Sequence, residues 1–463
     1  MSAVDFRLFP ADERVRGLAA ELHAEVAEAP ILSPHGHVDP RMLADDVPFS
    51  DPAELFLTRD HYVTRLLHAS GVPLADLGLD RDHPVDPREA WRILAAHWHR
   101  FAGTASGYWL TDELATLFGV DEELSPETAD RIYSRVSVAL AEPGFRPRAL
   151  FDRFRIEVLA TTDDPLDDLA PHAALAADPT FRGRVLPTFR PDAYTDPDAP
   201  GFAERVGRLL GATGSPATFA GYLDALQARR HYFIAHGAVS ADHGVIEALT
   251  TDLDPAVAEE LFRDAIAGTL DAAGSRVFRG HMLFQMARMS VADGLVMTVH
   301  PGVHRNHHRA TFERFGPDTG HDIPVRTEYT ENLRPLLNAF GTEPGFHLVL
   351  FAVDETVYSR EVAPLAGFYP SVYIGAPWWF LDAPDAIQRW RSAITETAGF
   401  YRSSGFIDDT RAFLSIPARH DAARRSDAAF LARLVSEGRV SLPTARRVIR
   451  DLVDAIPREV FRL

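Results

Sequence analysis

The chain contains no cysteine among its 463 residues. This absence excludes disulfides, thiolate metal sites and a cysteine nucleophile, so any bound metal must be held by histidine, aspartate or glutamate. No apolar run approaches the roughly 20 residues of a membrane span. The N-terminal segment MSAVDFRLFPADERVRG also lacks the apolar core of a signal peptide. We therefore expect a cytoplasmic protein that does not bind a membrane.

Positive charge is scarce relative to negative charge. The sequence has 47 Lys and Arg residues against 66 Asp and Glu residues, for a formal net charge of −19. Phosphate backbones repel such a chain, so we expect no nucleic-acid partner. A small anionic substrate remains compatible with this charge if basic side chains are clustered locally. The acidic surface favours no particular interface, and a homo-oligomer is left open.

Eight short apolar runs, separated by helical segments, indicate buried parallel strands. They are ILSPHGH (31–37), IEVLATTDDP (156–165), RVLPTFRPD (184–192), HGAVSADH (236–243), GLVMTVHPG (294–302), FHLVLFAVDE (346–355), SVYIGAPWW (371–379) and SGFIDDTR (404–411). We predict an α/β fold, a (β/α)8 TIM-type barrel of the metal-dependent hydrolase kind, as one domain over residues 1–463. The length suits a barrel of about 250 residues with large insertions, and residues 45–150 are predicted to form a helical insertion after the first strand.

Polar side chains follow these runs, at the face where barrel enzymes build their sites. His35 and His37 end the first run, and alternate residues of a strand point to the same side. Two imidazoles can then bind one ion. A second His-x-His pair, His97 and His99, lies in a segment with helical periodicity, where positions i and i+2 diverge, so we expect it to serve packing or solvation.

The other strand ends supply acidic and basic candidates. Asp408 and Asp409 end the last run, where one carboxylate can complete a two-histidine site for zinc or manganese and one can cap the next helix. Arg411 and Arg190 suggest a local anion site. His300 is a candidate ligand or electrophile. The cluster of His304, His307 and His308 lies in a stretch rich in Gly, Pro and Asn, which favours a loop near the site over a metal cage.

Taken in order, several motifs resemble the uronate isomerase (glucuronate isomerase) family of the amidohydrolase superfamily, from Phe6 to about Arg425. They are PHGHVDP (34–40), RDHY (59–62), TTDDP (161–165), LPTFRPD (186–192), the HG…DH segment (236–243), PWWF (377–380) and DDTRAFLS (408–415). The resemblance implies interconversion of D-glucuronate with D-fructuronate and of D-galacturonate with D-tagaturonate.

The resemblance also implies roles for particular residues. One divalent metal is held by His35, His37 and Asp409; we expect zinc, with manganese as the alternative. Asp409 is the expected base and Tyr62 the expected proton shuttle between substrate oxygens. The residues expected around the sugar acid are His61, Arg190, Asp242, His300, Trp378 and Arg411.

Two alternatives differ from this prediction in reaction class. A metal in such a barrel can activate water, which would make the protein a lactonase or amidohydrolase acting on a sugar-acid derivative. A non-catalytic sugar-acid or metal-binding protein on the same fold would bind without turnover. The intact set of His35, His37, Tyr62, Arg190, Asp409 and Arg411 argues against this second alternative.

Overall fold

The computed structural model describes residues 5–80 and 82–463. The first four residues of the segment inspected for a signal peptide lie outside the described part. Ten strands are present in it: β1 Ile31–Ser33, β2 Ile156–Ala160, β3 Arg184–Leu186, β4 Thr188–Phe189, β5 Ser240–His243, β6 Val296–Val299, β7 Val303–His304, β8 Ile323–Pro324, β9 Leu348–Leu350 and β10 Val372–Ile374.

The parallel strands follow one another in the order that a TIM-type barrel requires. β1, β2 and β3 form one parallel sheet, and β4, β5, β6, β9 and β10 form another. Pro187 separates the two sheets, yet Asp163 N–H donates to the Thr188 carbonyl and Arg190 N–H donates to the Asp163 carbonyl. The fold is thus α/β with parallel strands, and their carboxyl ends face one side.

Seven of the eight predicted runs contain a strand, although each strand is shorter than its run. β1 ends at Ser33 because Pro34 has no N–H to donate to a sheet, so His35 and His37 follow the strand instead of lying on it.

The prediction of a strand over residues 404–411 is wrong. Gly405 and Asp409 adopt positive φ values of 75° and 43°, which interrupt an extended path. The segment is still anchored at both ends, since Ser404 N–H donates to the Ile374 carbonyl and His37 N–H donates to the Thr410 carbonyl. It therefore runs between β10 and the residues that follow β1.

Between β1 and β2 the described residues form helices and connecting loops. The α-helices are α2 Pro40–Asp45, α3 His61–Ala69, α4 Pro87–Ala96, α5 Ala105–Phe118, α6 Ala129–Leu140 and α7 Pro147–Arg153. Short 3₁₀ or π turns lie at Glu54–Thr58, Leu74–Leu77, Trp98–Phe101 and Pro143–Phe145. The apolar faces of these helices pack together with side chains of β1 to β3 and with Phe413, Leu414 and Ile416.

The remaining helices precede β1 or follow the later strands. They are α1 Glu13–Ala24, α8 Ala170–Ala177, α9 Asp192–Thr195, α10 Phe202–Thr213, α11 Phe219–Ala235, α12 Pro255–Ala267, α13 Ala272–Asp293, α14 Arg309–Phe315, α15 Arg334–Phe340, α16 Ala363–Phe368, α17 Pro384–Ala398, α18 Ile416–Ser436, α19 Leu442–Val453 and α20 Ala455–Phe461, with short 3₁₀ or π turns at Tyr358–Val362, Phe400–Arg402 and Phe413–Ser415. Across the described part of the chain, none of these helices is long and apolar enough to cross a membrane.

α11 buries Phe219, Tyr222 and Leu226 and stops before Gly237, whose φ of 92° suits a helix end. The chain is mostly helical from Ala418 onward. The structure adds a small feature that the sequence did not predict: after β6 the short strands β7 and β8 pair antiparallel, with α14 between them in the chain.

Candidate active site

Two imidazole rings and one carboxylate converge beyond the carboxyl end of β1. The Nε2 atoms of His35 and His37 lie 3.2 Å and 3.0 Å from Oδ1 of Asp409. The main chain brings these residues together, because His37 N–H donates a hydrogen bond of 2.9 Å to the Thr410 carbonyl. The three candidate ligand atoms lie within 4.8 Å of one another. Two histidines and a carboxylate in this grouping are a donor set for a divalent cation.

Asp409 has a backbone conformation that few residue types adopt. Its φ of 43° lies in the left-handed region, which aspartate and asparagine enter more readily than other non-glycine residues. Burial alone would raise the pKa of Asp409, but His35 and His37 hold that pKa well below its usual range. Its Oδ1 is buried and accepts no regular hydrogen bond from the described residues. An ionised, buried oxygen beside two imidazoles fits a divalent cation as its partner.

A second buried group shares His35 with the first and contains Asp242 and His300. Asp242 lies on β5, and its Oδ1 is 2.6 Å from Nδ1 of His300 and 2.7 Å from Oγ1 of Thr298. The His300 ring stacks on His35 with centroids 4.7 Å apart. Its Nε2 is buried and has no partner among the described residues. A proton on Nδ1, directed at the carboxylate, leaves the lone pair of Nε2 free.

Arg190 lies beside this second group and contacts acidic side chains on two sides. Its Nε is 2.7 Å from Oδ2 of Asp192, and its Nη1 is 3.5 Å from Oδ2 of Asp242. The guanidinium charge is therefore largely balanced by the protein itself.

A cavity adjoins the His35–His37–Asp409 group. It is lined by His37, Asp60, His61, Tyr62, Arg305, Trp378, Trp379, Asp409, Thr410, Arg411, Ala412 and Arg419. Six of the residues predicted for the site are thus brought together here. The other four, His35, Arg190, Asp242 and His300, do not line this cavity and lie in the buried groups next to it.

His61 and Tyr62 reach the cavity from the first turn of α3. Asp60 caps this helix by accepting a hydrogen bond of 2.8 Å from Tyr62 N–H, and the His61 and Tyr62 rings stack with centroids 4.9 Å apart. Burial, reinforced by the nearby positive charge of Arg411, lowers the pKa of His61 to about 3. Burial and the neighbouring Asp382 raise the pKa of Tyr62 well above its usual value. The imidazole is therefore neutral and the phenol is protonated at neutral pH.

Arg411 stands where the cavity meets a larger groove. Both spaces are lined by His37 and Arg411, and Asp318 lies on the groove side. The Nη1 atom of Arg411 is 3.1 Å from Oδ2 of Asp318, and both side chains are more than a third exposed. This ion pair is solvated and weak enough to exchange partners, so the Arg411 guanidinium is available to an anion that enters from the groove.

The sequence did not predict two basic residues of the cavity, Arg305 and Arg419. Arg305 follows His304 in the loop that was noted only for its histidines, and its guanidinium lies 4.5 Å from the Trp379 ring centroid. Arg419 is buried on α18. A single arginine on a helix carries no local pattern, and nothing in the sequence distinguished Arg419 from the other arginines of that helix.

The histidines that were predicted to lie outside a metal cage do so. His97 caps the end of α4 with its Nδ1 2.8 Å from the Ile93 carbonyl, while His99 is exposed. His304, His307 and His308 occupy the loop after β6, and none of them belongs to a metal-type group among the described residues.

The loop before β8 packs tightly against the helix that carries His61 and Tyr62. Gly320 has a φ of 95°, and a Cβ there would lie 2.5 Å from Cβ of Arg65 and 3.0 Å from the His61 carbonyl oxygen. We expect Gly320→Ala to lower the free energy of unfolding by about 2–4 kcal/mol, from a strained backbone and an overpacked contact. Gly268→Ala is the matched control, since Gly268 also has a positive φ but open space around it. Chemical denaturation should show a loss in Gly320→Ala that exceeds that of the control; equal losses would contradict the close packing.

Comparison with known proteins agrees with this geometry. The glucuronate isomerase family model matches residues 14–461. A uronate isomerase of Corynebacterium efficiens is 54% identical over 99% of this chain and 98% of the relative, and one of Rhizorhabdus wittichii is 52% identical over the same shares. The crystal structure of glucuronate isomerase from Caulobacter crescentus is 46% identical and superposes with a TM-score of 0.97 over 100% of this chain and 97% of that chain. With its parallel α/β fold and its two-histidine, one-carboxylate group, this chain belongs to the uronate isomerase family.

Proposed function

We propose that the protein interconverts D-glucuronate with D-fructuronate and D-galacturonate with D-tagaturonate. The observation that carries the proposal is the convergence of Asp409, Tyr62 and Arg411 on one cavity beside a metal-type donor set. Moving a proton between two adjacent carbons through an enediol needs a base, a group that exchanges protons with the oxygens, and a cationic grip on the carboxylate. The cavity supplies a candidate for each.

One divalent ion would be held by His35, His37 and Asp409, with zinc as our first choice and manganese as the alternative. When bound, it would supply a Lewis acid that stabilises negative charge developing on the substrate oxygens. His35 also contacts His300, whose Nδ1 is fixed by Asp242. We assign Asp242 and His300 to shaping the buried side of the site, with the free lone pair of His300 Nε2 available to accept a hydrogen bond from a substrate hydroxyl group.

Asp409 is the proposed base. Its Oδ1 faces the two imidazoles, which leaves Oδ2 to take the proton from one carbon and return it to the next. The low pKa of Asp409 keeps this carboxylate ionised before the substrate arrives. Tyr62 keeps its proton at neutral pH, so it can exchange protons with the two substrate oxygens.

A positively charged partner for the substrate carboxylate must be arginine or histidine, because the chain contains no lysine. Arg411 is the proposed partner, since among the described residues its only ion pair is the exposed one with Asp318. Neutral His61 would donate a hydrogen bond to the sugar acid, and Trp378 would pack against it. Arg190 is assigned to balancing the charge of Asp242 from behind, because Asp192 already engages its Nε.

We further infer that residues 1–463 act as one domain with an insertion over about 45–150. The insertion carries His61 and Tyr62. These two residues line the same cavity as Asp409 and Arg411, which lie far from them in sequence. A separable insertion would leave that cavity without its proton-exchanging groups.

A direct assay tests the proposed reaction. The protein is incubated with glucuronate and with galacturonate, before and after chelation, while bound metal is measured and the ketose product is identified. Parallel incubations with uronolactones report acid release. Ketose formation that is lost with the metal supports the proposal. Lactone hydrolysis without ketose would instead assign the hydrolase reaction.

Replacing Arg411 tests the proposed carboxylate contact. A charged hydrogen bond contributes about 1.5–3 kcal/mol, so we expect Arg411→Gln to raise KM by about 10- to 100-fold. The control Arg309→Gln makes the same charge change in a solvated i,i+4 pair with Glu313, and we expect its KM to match the wild type. Initial rates over a range of uronate concentrations give both values. An Arg411→Gln enzyme with the wild-type KM would contradict the assignment.

A further inference from the structure

Behind Tyr62, on the side away from the cavity, lies a buried acidic residue that the proposed chemistry has not yet used. The Tyr62 hydroxyl is 3.2 Å from Oδ2 and 3.4 Å from Oδ1 of Asp382. Tyr62 lines the cavity, whereas Asp382 does not. The carboxylate has no proton to give, so the phenol donates its hydrogen away from the substrate. These distances are longer than in a mature hydrogen bond, as catalytic contacts often are before the substrate binds.

Asp382 is held in place by a third residue. Arg419 donates from Nη1 to Oδ2 of Asp382 at 2.7 Å and from Nε to Oγ of Ser415 at 3.0 Å. Its guanidinium lies 3.7 Å from the centroid of the Trp109 ring. The side chains of Asp382 and Arg419 are 5% and 3% exposed. Such a buried pair fixes the position of the carboxylate far more rigidly than a surface pair would.

The single hydrogen of a phenol can be donated to the substrate or to another group, but not to both at once. A phenol whose own hydrogen is directed at Asp382 presents its oxygen lone pair to the cavity and can accept a proton from a substrate hydroxyl. Burial raises the pKa of Asp382 despite the opposing effect of Arg419, which makes this carboxylate a better proton acceptor than an exposed aspartate.

We propose that Asp382 is the positioning residue of the Tyr62 proton shuttle, a role that rests on the isomerase function proposed above. As a substrate O–H bond breaks, its proton forms a new O–H bond with Tyr62, and the original phenol proton passes to Oδ2 of Asp382. The proton on Asp382 then returns to the phenol oxygen while Tyr62 delivers its other proton to the neighbouring substrate oxygen. Protons are only redistributed in these steps, so no oxidant or further reactant is needed.

A double-mutant cycle tests this role because Asp382 should act only through Tyr62. We expect Tyr62→Phe to lower kcat by about 100-fold or more, within the range for a lost general acid–base group. Asp382→Asn keeps the shape of the side chain but cannot take a proton, and we expect a loss of about 10- to 100-fold in kcat with KM changed by less than about threefold. The double variant should match Tyr62→Phe within about threefold, since removing a partner of an absent hydroxyl costs nothing more.

Asp427→Asn is the matched control for loss of a buried ion pair. Asp427 accepts from Nε of Arg391 at 2.7 Å, and the two side chains are 8% and 2% exposed, close to the values for Asp382 and Arg419. We expect this variant to lose thermal stability while its kcat stays within about threefold of the wild type. If Asp382→Asn does not fold, Asp382→Glu replaces it in the cycle, because it keeps the charge opposite Arg419 but displaces the carboxylate.

The outcomes separate this inference from the function on which it rests. If the wild type forms no ketose from any uronate, the proposed function fails. If the wild type is active but the losses in kcat multiply in the double variant, or if Asp382→Asn keeps the wild-type kcat, the positioning role is overturned and the isomerase function stands.

Discussion

Asp409→Asn is expected to lose turnover by about 10⁴-fold while the protein remains folded. The amide cannot take a proton from carbon, and the loss of a general base lies at the upper end of such effects. Asparagine tolerates the left-handed backbone at this position, so the φ of 43° adds little strain. Far-ultraviolet circular dichroism and thermal unfolding would report the fold, and single-turnover ketose formation would report the chemistry.

Asp408→Asn is the control that distinguishes the role of Asp409 from that of the adjacent aspartate. Asp408 is buried, with Oδ2 3.0 Å from Nε2 of His420 and Oδ1 accepting from Thr410 N–H, so it supports the local fold and does not line the cavity. We expect Asp408→Asn to reduce stability more than turnover. An Asp409→Asn enzyme with near-wild-type turnover would contradict the assignment of Asp409 as the base. So would an Asp408→Asn enzyme that is well folded but inactive while Asp409→Asn stays active.

His37→Asn is expected to release the metal and to abolish turnover together. Removing a residue that hydrogen-bonds to a metal ligand typically lowers metal affinity by about 10- to 100-fold. We expect the loss of a direct ligand to lower it by more than about 100-fold. His37 is the better choice of the two histidines because its side chain is 26% exposed, whereas that of His35 is 2% exposed and its loss would leave a cavity. Elemental analysis after equilibration at a fixed free metal concentration measures the effect independently of activity.

His99→Asn provides the control from the other His-x-His pair of the chain. His99 is exposed and belongs to no metal-type group in the described residues. We expect its variant to bind metal and to turn over uronate like the wild type. A His37→Asn protein that retains full metal content would show that the donor set has been misidentified.

The sequence predicted those features of the fold that local patterns encode. Apolar runs located seven strands, and the polar residues at the ends of the first and last runs pointed to His35, His37 and Asp409, which lie together in the structure. The run at 404–411 failed because its composition resembles a strand while Gly405 and Asp409 turn the backbone. A hydrophobic pattern indicates which residues are buried, but it does not indicate their backbone φ angles.

The contacts of Tyr62 could not be predicted from such local patterns. The resemblance to a family singled out Tyr62, but its contact with Asp382 joins residues 320 positions apart. Arg419 reaches the same carboxylate from α18. These pairings depend on how the insertion, the loop before α17 and α18 pack against one another, and no periodicity or short motif encodes that arrangement.

The two halves of the metal-type group lie near opposite ends of the chain, and this has a consequence for biosynthesis. His35 and His37 leave the ribosome well before Asp409 and α18 do. Translation of the intervening residues takes roughly 20 to 75 s at about 5–20 residues per second. Throughout that time the nascent chain presents two histidines without their carboxylate. α1 packs against α18, so α1 cannot make this contact until α18 has been synthesised. The proposed ion site can therefore form only after Asp409 has been synthesised.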